Sequence, residues 1–167
     1  INRKLVSFNL INRKPIRIYI NLPYNKWNEK ISVLVGNIKD PILAVNATKG
    51  ADIIVHFAAN TGVIPSIENP RLDMEINIIG TFNYLEAARY NSVKKFIFAS
   101  SGAPLGEVQP PVNELLPAKP MSPYGASKLA GEGYCAAFSN SYGVNATALR
   151  FGNVYGPGSM HKSSVIA

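Results

Sequence analysis

The 167-residue sequence is long enough for one domain with a substantial hydrophobic core, and its composition, 47% hydrophobic and 16% charged, excludes a disordered chain. Its net charge of +7 comes from Lys and Arg residues that are scattered along the chain. The sequence carries no helix-turn-helix, zinc-finger or RNA-binding signature, so we interpret the charge as solvated surface and expect no nucleic-acid partner. No apolar run could cross a membrane, no secretory signal is visible and the single cysteine excludes an intrachain disulfide, so we expect a cytoplasmic protein without a membrane partner.

Short runs rich in β-branched residues alternate with helical patterns along the chain. The runs predict five strands, in chain order Ile16–Asn21, Ile31–Val35, Asp52–Phe57, Lys95–Ala99 and Asn145–Phe151. Apolar residues at helical spacing predict a helix over Pro70–Tyr90, with a stripe that includes Ile76 and Ile79, and a second helix over Pro123–Ser141. This alternation predicts an α/β fold with a doubly wound parallel sheet, in which ligands bind beyond the carboxyl ends of the strands.

The segment with the strongest chemical signal is Ser122–Lys128, of sequence SPYGASK. Ser122 and the proline after it suit the N-cap and the first position of a helix, which places Tyr124 and Lys128 at i and i+4 on one helix face. A neighbouring ammonium favours the phenolate form of a tyrosine, so the pair predicts a general base. A surface tyrosine beside an exposed lysine is the competing interpretation, because the Tyr-x-x-x-Lys pattern is common.

The segments FIFASSGAPLGE and PMSPYGASKLAGE resemble the Ser–Tyr–Lys region of the NAD-dependent epimerase/dehydratase family, which are extended short-chain dehydrogenase/reductases. The resemblance implies that Ser101 is the catalytic serine, Tyr124 the base and Lys128 its partner, which also holds the nicotinamide ribose. It implies a Rossmann-like fold, NAD as cofactor, a nucleotide-sugar substrate and a homodimer. We expect Lys128 and the positive ring of the oxidised cofactor to lower the pKa of Tyr124.

Four further motifs match this family in order and spacing. Gly36–Asp40 resembles a turn beside adenine, and His56–Ala59 resembles a segment whose small residues approach the cofactor. Asn77 resembles a helix asparagine that braces the active-site loops, and Leu149–Pro157 resembles the segment that leads to the sugar-nucleotide site. The resemblance implies Ser101 and Asn153 as substrate-binding residues and no metal site. It implies cofactor binding by Asn37, Ile38, Ala58, Ala59, Asn77, Ser100, Tyr124, Lys128 and Phe151.

Two departures from the family concern the N-terminal part of the chain. The glycine-rich phosphate-binding fingerprint is absent, and Ile1–Arg13 resembles the helix that follows it, with Asn2 in the place of the third glycine. Ile20 stands where an aspartate should bind the adenosine ribose. We therefore expect a sheet that lacks its first strand and the C-terminal substrate lobe, with residues 1–157 as a partial NAD-binding domain and residues 158–167 as the start of the substrate-binding region. Such a chain is predicted to bind NAD weakly by itself.

Three functions follow from these matches and departures. The first is an NAD-dependent nucleotide-sugar epimerase, which oxidises its substrate to a keto sugar and reduces it again. The second is a degenerate, non-catalytic homologue that acts as a binding or scaffold module, which Asn2 and Ile20 favour. The third is a dehydratase or reductase of the same family. Dehydratases usually carry an acidic pair after the active serine, and Gly102 and Ala103 stand there, which favours the epimerase.

Overall fold

The computed structural model of the chain describes residues 5–6, 34 and 36–154. Its strands form one parallel sheet, in which hydrogen-bonded neighbours follow the order β1-β2-β3-β4. The strands are β1 (Leu5–Val6), β2 (Ile53–His56), β3 (Lys95–Ser101) and β4 (Ala146–Phe151). The last three agree with predicted runs to within two residues at either end. The predicted fold class, a parallel α/β sheet of the Rossmann-like type, is confirmed.

The sheet edge beside β2 differs from the prediction. The sequence predicts a helix over Ile1–Arg13 and no first strand, but Leu5 and Val6 form β1 and pair in parallel with Ile53 and Ile54. The helix prediction is therefore wrong at these two residues. The physical reason is that a bare edge of β2 would leave backbone N–H and C=O groups without partners, and an extended apolar pair satisfies them.

Other predictions for the N-terminal part of the chain cannot be compared residue by residue. The predicted strand Ile16–Asn21 lies outside the described residues, as do Asn2 and Ile20. Of the predicted strand Ile31–Val35 the structure describes Leu34 alone, which is not in a strand. The predicted domain boundary after residue 157 also lies outside the described range.

The described helices are α1 (Pro41–Thr48), α2 (Val63–Glu68), α3 (Pro70–Met74), α4 (Gly80–Tyr90) and α5 (Pro123–Tyr142). A π-helical turn, Glu75–Ile79, joins α3 to α4, so the predicted helix over this region is continuous but not regular. The wider turn shifts the helical phase, and Ile79, predicted to face the sheet, is 42% exposed. None of the helices described is both long and apolar enough to cross a membrane.

The hydrophobic core lies between the sheet and helices α4 and α5. Phe96 and Phe98 of β3 and Tyr84 and Leu85 of α4 are at most 1% exposed. Helix α5 packs directly on β3 because Gly131 has no side chain, and a Cβ atom there would lie 2.5 Å from Phe98 Cζ. This close packing sets the distance between α5 and β3, and the candidate site lies at the carboxyl end of β3.

Candidate active site

Ser101 and Tyr124 come together at the carboxyl end of β3. Ser101 is the last residue of β3, and a short 3-10 turn, Ala103–Leu105, follows it. Helix α5 begins beside this turn, where the Ser122 hydroxyl caps the helix by accepting a hydrogen bond from the Gly125 amide at 3.1 Å. The absence of a side chain at Gly125 permits this approach, since a Cβ atom there would lie 2.6 Å from a carbonyl oxygen of the turn. The phenol of Tyr124 is thereby close enough to Ser101 for that hydroxyl to lower its pKa.

The phenol of Tyr124 is half-buried, and burial raises its pKa above the usual value. The hydrogen bond with Ser101 lowers this pKa in part, and the charge of Asp73 raises it further. The sequence predicts a lowered pKa, with the ammonium of Lys128 and the cofactor ring as causes. Without a cofactor, burial raises the pKa of Tyr124 by more than the Lys128 ammonium lowers it. The reason is that Lys128 Nζ lies 5.8 Å from the Tyr124 ring centroid and donates its hydrogen bond to a strand carbonyl.

Lys128 lies one turn after Tyr124 on the same face of α5 and is 3% exposed. Its Nζ atom donates to the Ala99 carbonyl oxygen at 2.8 Å and lies 4.9 Å from the centroid of the Phe98 ring. Burial lowers the pKa of the ammonium to about 8, while the negative charge of Asp73 acts in the opposite direction. This burial excludes the interpretation of a surface tyrosine beside an exposed lysine.

Asn77, in the π turn, connects the loop after β2 to helix α5. Its Oδ1 atom accepts from the Asn60 amide at 2.7 Å, and its Nδ2 atom lies 3.0 Å from the Asn60 carbonyl oxygen and 3.1 Å from Ser127 Oγ. The Ser127 hydroxyl in turn donates to the Tyr124 carbonyl oxygen at 3.0 Å. The side chain of Asn77 therefore holds the loop and the base-bearing helix together.

Two of the predicted cofactor-binding residues use their side chains elsewhere. Ile38 is 1% exposed and packs against Gly80, where a Cβ atom would lie 2.5 Å from Ile38 Cδ1. The Ser100 hydroxyl donates to Glu132 on α5 at 2.5 Å, because Ser100 faces the opposite side of β3 from Ser101. Any contact of Ile38 or Ser100 with a cofactor would involve the main chain.

Of the other predicted site residues, Ala58, Ala59 and Phe151 lie at the carboxyl ends of strands. Asn37 is exposed in the turn before α1, and Ala58 and Ala59 directly follow β2 and are each 1% exposed. Phe151 pairs with Ser101 at the end of β4 and is 38% exposed. Asn153 follows β4 and is exposed. Its side chain forms no hydrogen bond with another described residue, so its position in the site stays a prediction. The described residues contain no group of three or more His, Cys, Asp or Glu side chains that could hold a metal ion.

His56, at the end of β2, is a packed core histidine and not a candidate base. It is 3% exposed, stacks on Tyr84 with ring centroids 5.4 Å apart, and places Nε2 3.1 Å from Thr81 Oγ. The Thr81 hydroxyl donates to the Asn77 carbonyl oxygen at 2.7 Å, so we assign the proton of the histidine to Nε2. Burial lowers the pKa of His56 to about 3, which keeps the imidazole neutral.

The comparisons with known proteins agree with this geometry. A model of the NAD dependent epimerase/dehydratase family matches residues 10–167. The chain belongs to this family. It is 41% identical over 135 residues to a putative UDP-glucose 4-epimerase of Methanocaldococcus jannaschii, covering 79% of this chain and 44% of that protein.

Two solved structures of family members superpose on the chain. The UDP-glucose 4-epimerase of Thermus thermophilus in complex with NAD is 39% identical, with a TM-score of 0.70, and the match covers 82% of this chain and 47% of that one. DesIV of Streptomyces venezuelae, a dTDP-glucose 4,6-dehydratase with NAD and TYD bound, is 29% identical, with a TM-score of 0.81 and coverage of 93% and 48%. The chain thus spans less than half the length of these family members.

The groups at this edge of the sheet suit the dinucleotide that this family uses. The Lys128 ammonium carries three N–H donors, and the Ala99 carbonyl takes one of them. Ala58 and Ala59 place two small side chains where the backbone after β2 meets the site. A cationic donor at the carboxyl end of a parallel strand suits the hydroxyls of a ribose, and small residues after the neighbouring strand let the backbone approach a dinucleotide. The residues present therefore fit this cofactor.

Sequence reasoning placed Asn60 among the residues that follow a strand end, where ligands bind, but did not single out Asp73 or Ser127. Asp73 is 1% exposed, and its Oδ1 atom accepts a hydrogen bond from Asn77 at 2.9 Å. A sequence signal for Asp73 exists, since Asp73, Asn77 and Thr81 form a polar stripe at i, i+4 and i+8 of the predicted helix. The contact of Ser127 with Asn77 becomes visible only when the π turn and α5 are packed together.

Proposed function

We propose that the protein containing this chain is an NAD-dependent nucleotide-sugar epimerase. The observation that carries the proposal is the meeting of Ser101, Tyr124 and Lys128 at the carboxyl end of β3, with the lysine buried. In this reaction a sugar hydroxyl is oxidised to a ketone, the keto sugar turns over in the site, and the ketone is reduced on its other face. The family relationship and the nucleotide-sugar enzymes among the relatives support the substrate class.

The chain's own residues move and hold the proton. Tyr124, as phenolate, accepts the proton of the sugar hydroxyl, and it returns a proton to the new hydroxyl at the end of the cycle. Ser101 Oγ accepts from the Ala103 amide at 3.2 Å. Its own proton is therefore available to the Tyr124 phenolate in the protein alone and to the reacting oxygen once the substrate is bound. The Lys128 ammonium stabilises the phenolate through its positive charge. Bound NAD supplies the acceptance and return of hydride.

The proposed ligand contacts follow the ends of the strands. We assign Asn37, the Ile38 main chain, Ala58 and Ala59 to the adenosine and pyrophosphate side, and Lys128 to the nicotinamide ribose. The Ser100 main chain, Asn77, Tyr124 and Phe151 complete the cofactor-binding set, and Ser101 and Asn153 face the sugar nucleotide. We expect NAD to bind more tightly than NADP, and calorimetry with both dinucleotides tests this; tighter NADP binding would overturn it.

The test of the proposed base is Tyr124→Phe, which removes the phenolic oxygen and keeps the ring. With NAD and a panel of UDP- and dTDP-hexoses, we expect turnover to fall by about 10²-fold or more, because general acid–base catalysis contributes that much. NAD affinity should be unchanged. Product is measured by NMR of the anomeric protons, and NAD affinity by calorimetry. Unchanged turnover in Tyr124→Phe would remove this residue from the mechanism.

A matched control is Tyr134→Phe on the same helix. The Tyr134 side chain is 39% exposed and packs edge-on against Phe82, so the variant loses a phenolic oxygen away from the site. We expect its turnover to equal that of the wild type. An equal loss in Tyr124→Phe and Tyr134→Phe would show that the effect is on stability and not on proton transfer.

The two alternative functions have distinct outcomes in the same assay. A non-catalytic binding module would bind NAD or a sugar nucleotide without any change in the sugar, and Tyr124→Phe would then change nothing. A dehydratase would release water and leave a keto deoxy sugar. The neutral pair Gly102 and Ala103 after the active serine favours epimerisation over dehydration, because no acidic side chain stands there to assist loss of a hydroxyl.

A further inference from the structure

Asp73 is a buried carboxylate that the proposed reaction does not use. It is 1% exposed and lies in the first turn of α3, where the positive end of the helix favours a negative charge. Burial raises its pKa, while Ser127, Asn60 and the charge of Lys128 lower it in part. A buried carboxylate costs stability unless it is paired, so its presence beside the site requires a partner.

The hydrogen bonds around Asp73 lead to the catalytic face of α5. Asn77 Nδ2 lies 2.9 Å from Asp73 Oδ1, 3.0 Å from the Asn60 carbonyl oxygen and 3.1 Å from Ser127 Oγ. An amide has two N–H hydrogens, so three acceptors compete for two donors. A charged acceptor takes the stronger bond, and Asp73 therefore fixes the orientation of the Asn77 amide. Ser127 lies between Tyr124 and Lys128 in the sequence of α5.

Lys128 needs a negative counter-charge in its buried position. The groups that can face it are Asp73 from α3, Tyr124 from its own helix and His56 from β2, which is neutral. Glu132, one turn further along α5, is engaged in an ion pair of its own. Among the described residues, Asp73 is therefore the carboxylate whose charge acts on the ammonium.

We propose that Asp73 is a positioning residue, which orients the Asn77 amide against helix α5 and acts on the Lys128 ammonium through its charge, without a direct ion pair. Its role in catalysis rests on the proposed function, because it acts through Lys128 and Tyr124 and not on the substrate. The charge has two effects of known sign. It favours the charged form of Lys128 and disfavours the phenolate of Tyr124, so it moves the pKa values of both groups upward.

The kinetic consequence is a shift of the whole pH profile. The two limbs of kcat/KM report the ionisations of Tyr124 and Lys128, the groups whose charge states the reaction requires. Asp73→Asn keeps the shape of the side chain and removes its charge, so both limbs should move to lower pH, by about one pH unit. A purely structural role would lower the amplitude and leave the limbs in place. Asp73→Glu retains the charge and should keep the wild-type limbs.

A readout independent of catalysis separates this inference from the proposed function. Lysine labelled with 13C at Cε is titrated by NMR, and the Lys128 resonance is identified by its loss in Lys128→Met. We expect the midpoint of Lys128 to fall by about one pH unit in Asp73→Asn. The matched control is Glu86→Gln, which removes an exposed carboxylate from α4 and should leave the midpoint unchanged. An unchanged Lys128 midpoint in Asp73→Asn would overturn the inference, whatever Tyr124→Phe does to turnover.

The wild-type protein provides a second measurement that needs no variant at this position. If the two charges interact, the 13Cγ resonance of Asp73 should show a second inflection at the pH where Lys128 loses its proton. Should Asp73→Asn fail to fold, this inflection decides the question. Its presence supports the pair, and a flat Asp73 signal through the Lys128 titration overturns it.

Discussion

Replacing Gly131 by alanine tests how closely α5 is packed on β3. The added Cβ atom would lie 2.5 Å from Cζ and 2.7 Å from Cε1 of Phe98. These distances are about 1 Å shorter than a normal carbon–carbon contact. The ring cannot move aside freely, because it is 1% exposed and stacks near His56 with centroids 6.1 Å apart. Either the ring or the helix must therefore be displaced.

Two opposing terms set the size of the effect. Alanine in place of glycine inside a helix stabilises by about 1 kcal/mol, and an extra methyl group in a filled core costs about 1–3 kcal/mol. Gly133 lies in the interior of the same helix, and a Cβ atom added there would meet nothing within 4 Å, so Gly133→Ala carries the helical gain alone. We expect the unfolding free energy of Gly131→Ala to lie about 1–3 kcal/mol below that of Gly133→Ala.

Urea unfolding and calorimetry on the two variants measure this difference directly. For a chain of this size, 1 kcal/mol corresponds to a change in Tm of about 2–4 °C. Because Lys128 Nζ lies 4.9 Å from the Phe98 ring centroid, displacement of the ring should also change the Lys128 environment. Equal stability of Gly131→Ala and Gly133→Ala would refute the close packing of α5 on β3.

Two further predictions concern buried titratable groups. The pKa of His56 is lowered to about 3, so protons bind more tightly to the unfolded state. The contribution of neutral His56 to stability is therefore complete above about pH 6.5 and is lost as the pH falls toward 3. His56→Phe should show a smaller loss of Tm on acidification than the wild type, and an equal loss would contradict the burial of His56. Glu132 makes a two-point ion pair with Arg150 at 2.8 and 2.7 Å, so Glu132→Gln should cost about 1–3 kcal/mol in urea unfolding. Asp52→Asn, in the exposed pair with Lys94, should cost less than about 1 kcal/mol, and similar costs for the two would show that burial adds nothing.

The central strands and the two long helices could be predicted because their sequence patterns match the burial that these segments have in the fold. The run Lys95–Ala99 is β-branched and aromatic, and Ser122 and Pro123 mark the start of α5 as its cap shows. The short helices α1 and α2 were missed because neither carries a clear apolar stripe. The π turn Glu75–Ile79 was missed because its extra residue is set by the tertiary contacts of Asn77, which helical periodicity does not express.

The candidate site was predictable only in part, for a similar reason. Tyr124 and Lys128 could be named from their i, i+4 spacing in a predicted helix, and Ser101, at a strand end, from the family resemblance. The raised pKa of Tyr124 could not be foreseen, since it depends on how deeply α5 is buried. Asp73 escaped notice because a single acidic residue in a helix is usually exposed, and its burial depends on how the π turn packs on α5.

The stability of the fold alone does not account for the polar residues at this edge. Replacing a buried ion pair by apolar side chains of similar volume is often neutral or stabilising, so packing gives no reason for Lys128 and Asp73 to be charged. A π turn is rare, and it occurs here at Asn77, whose side chain contacts Asp73. On β3, Phe96 follows the ordinary apolar pattern of the core. A buried lysine, a buried carboxylate and a π turn that gather beside Tyr124 are the pattern expected of a site maintained for its chemistry.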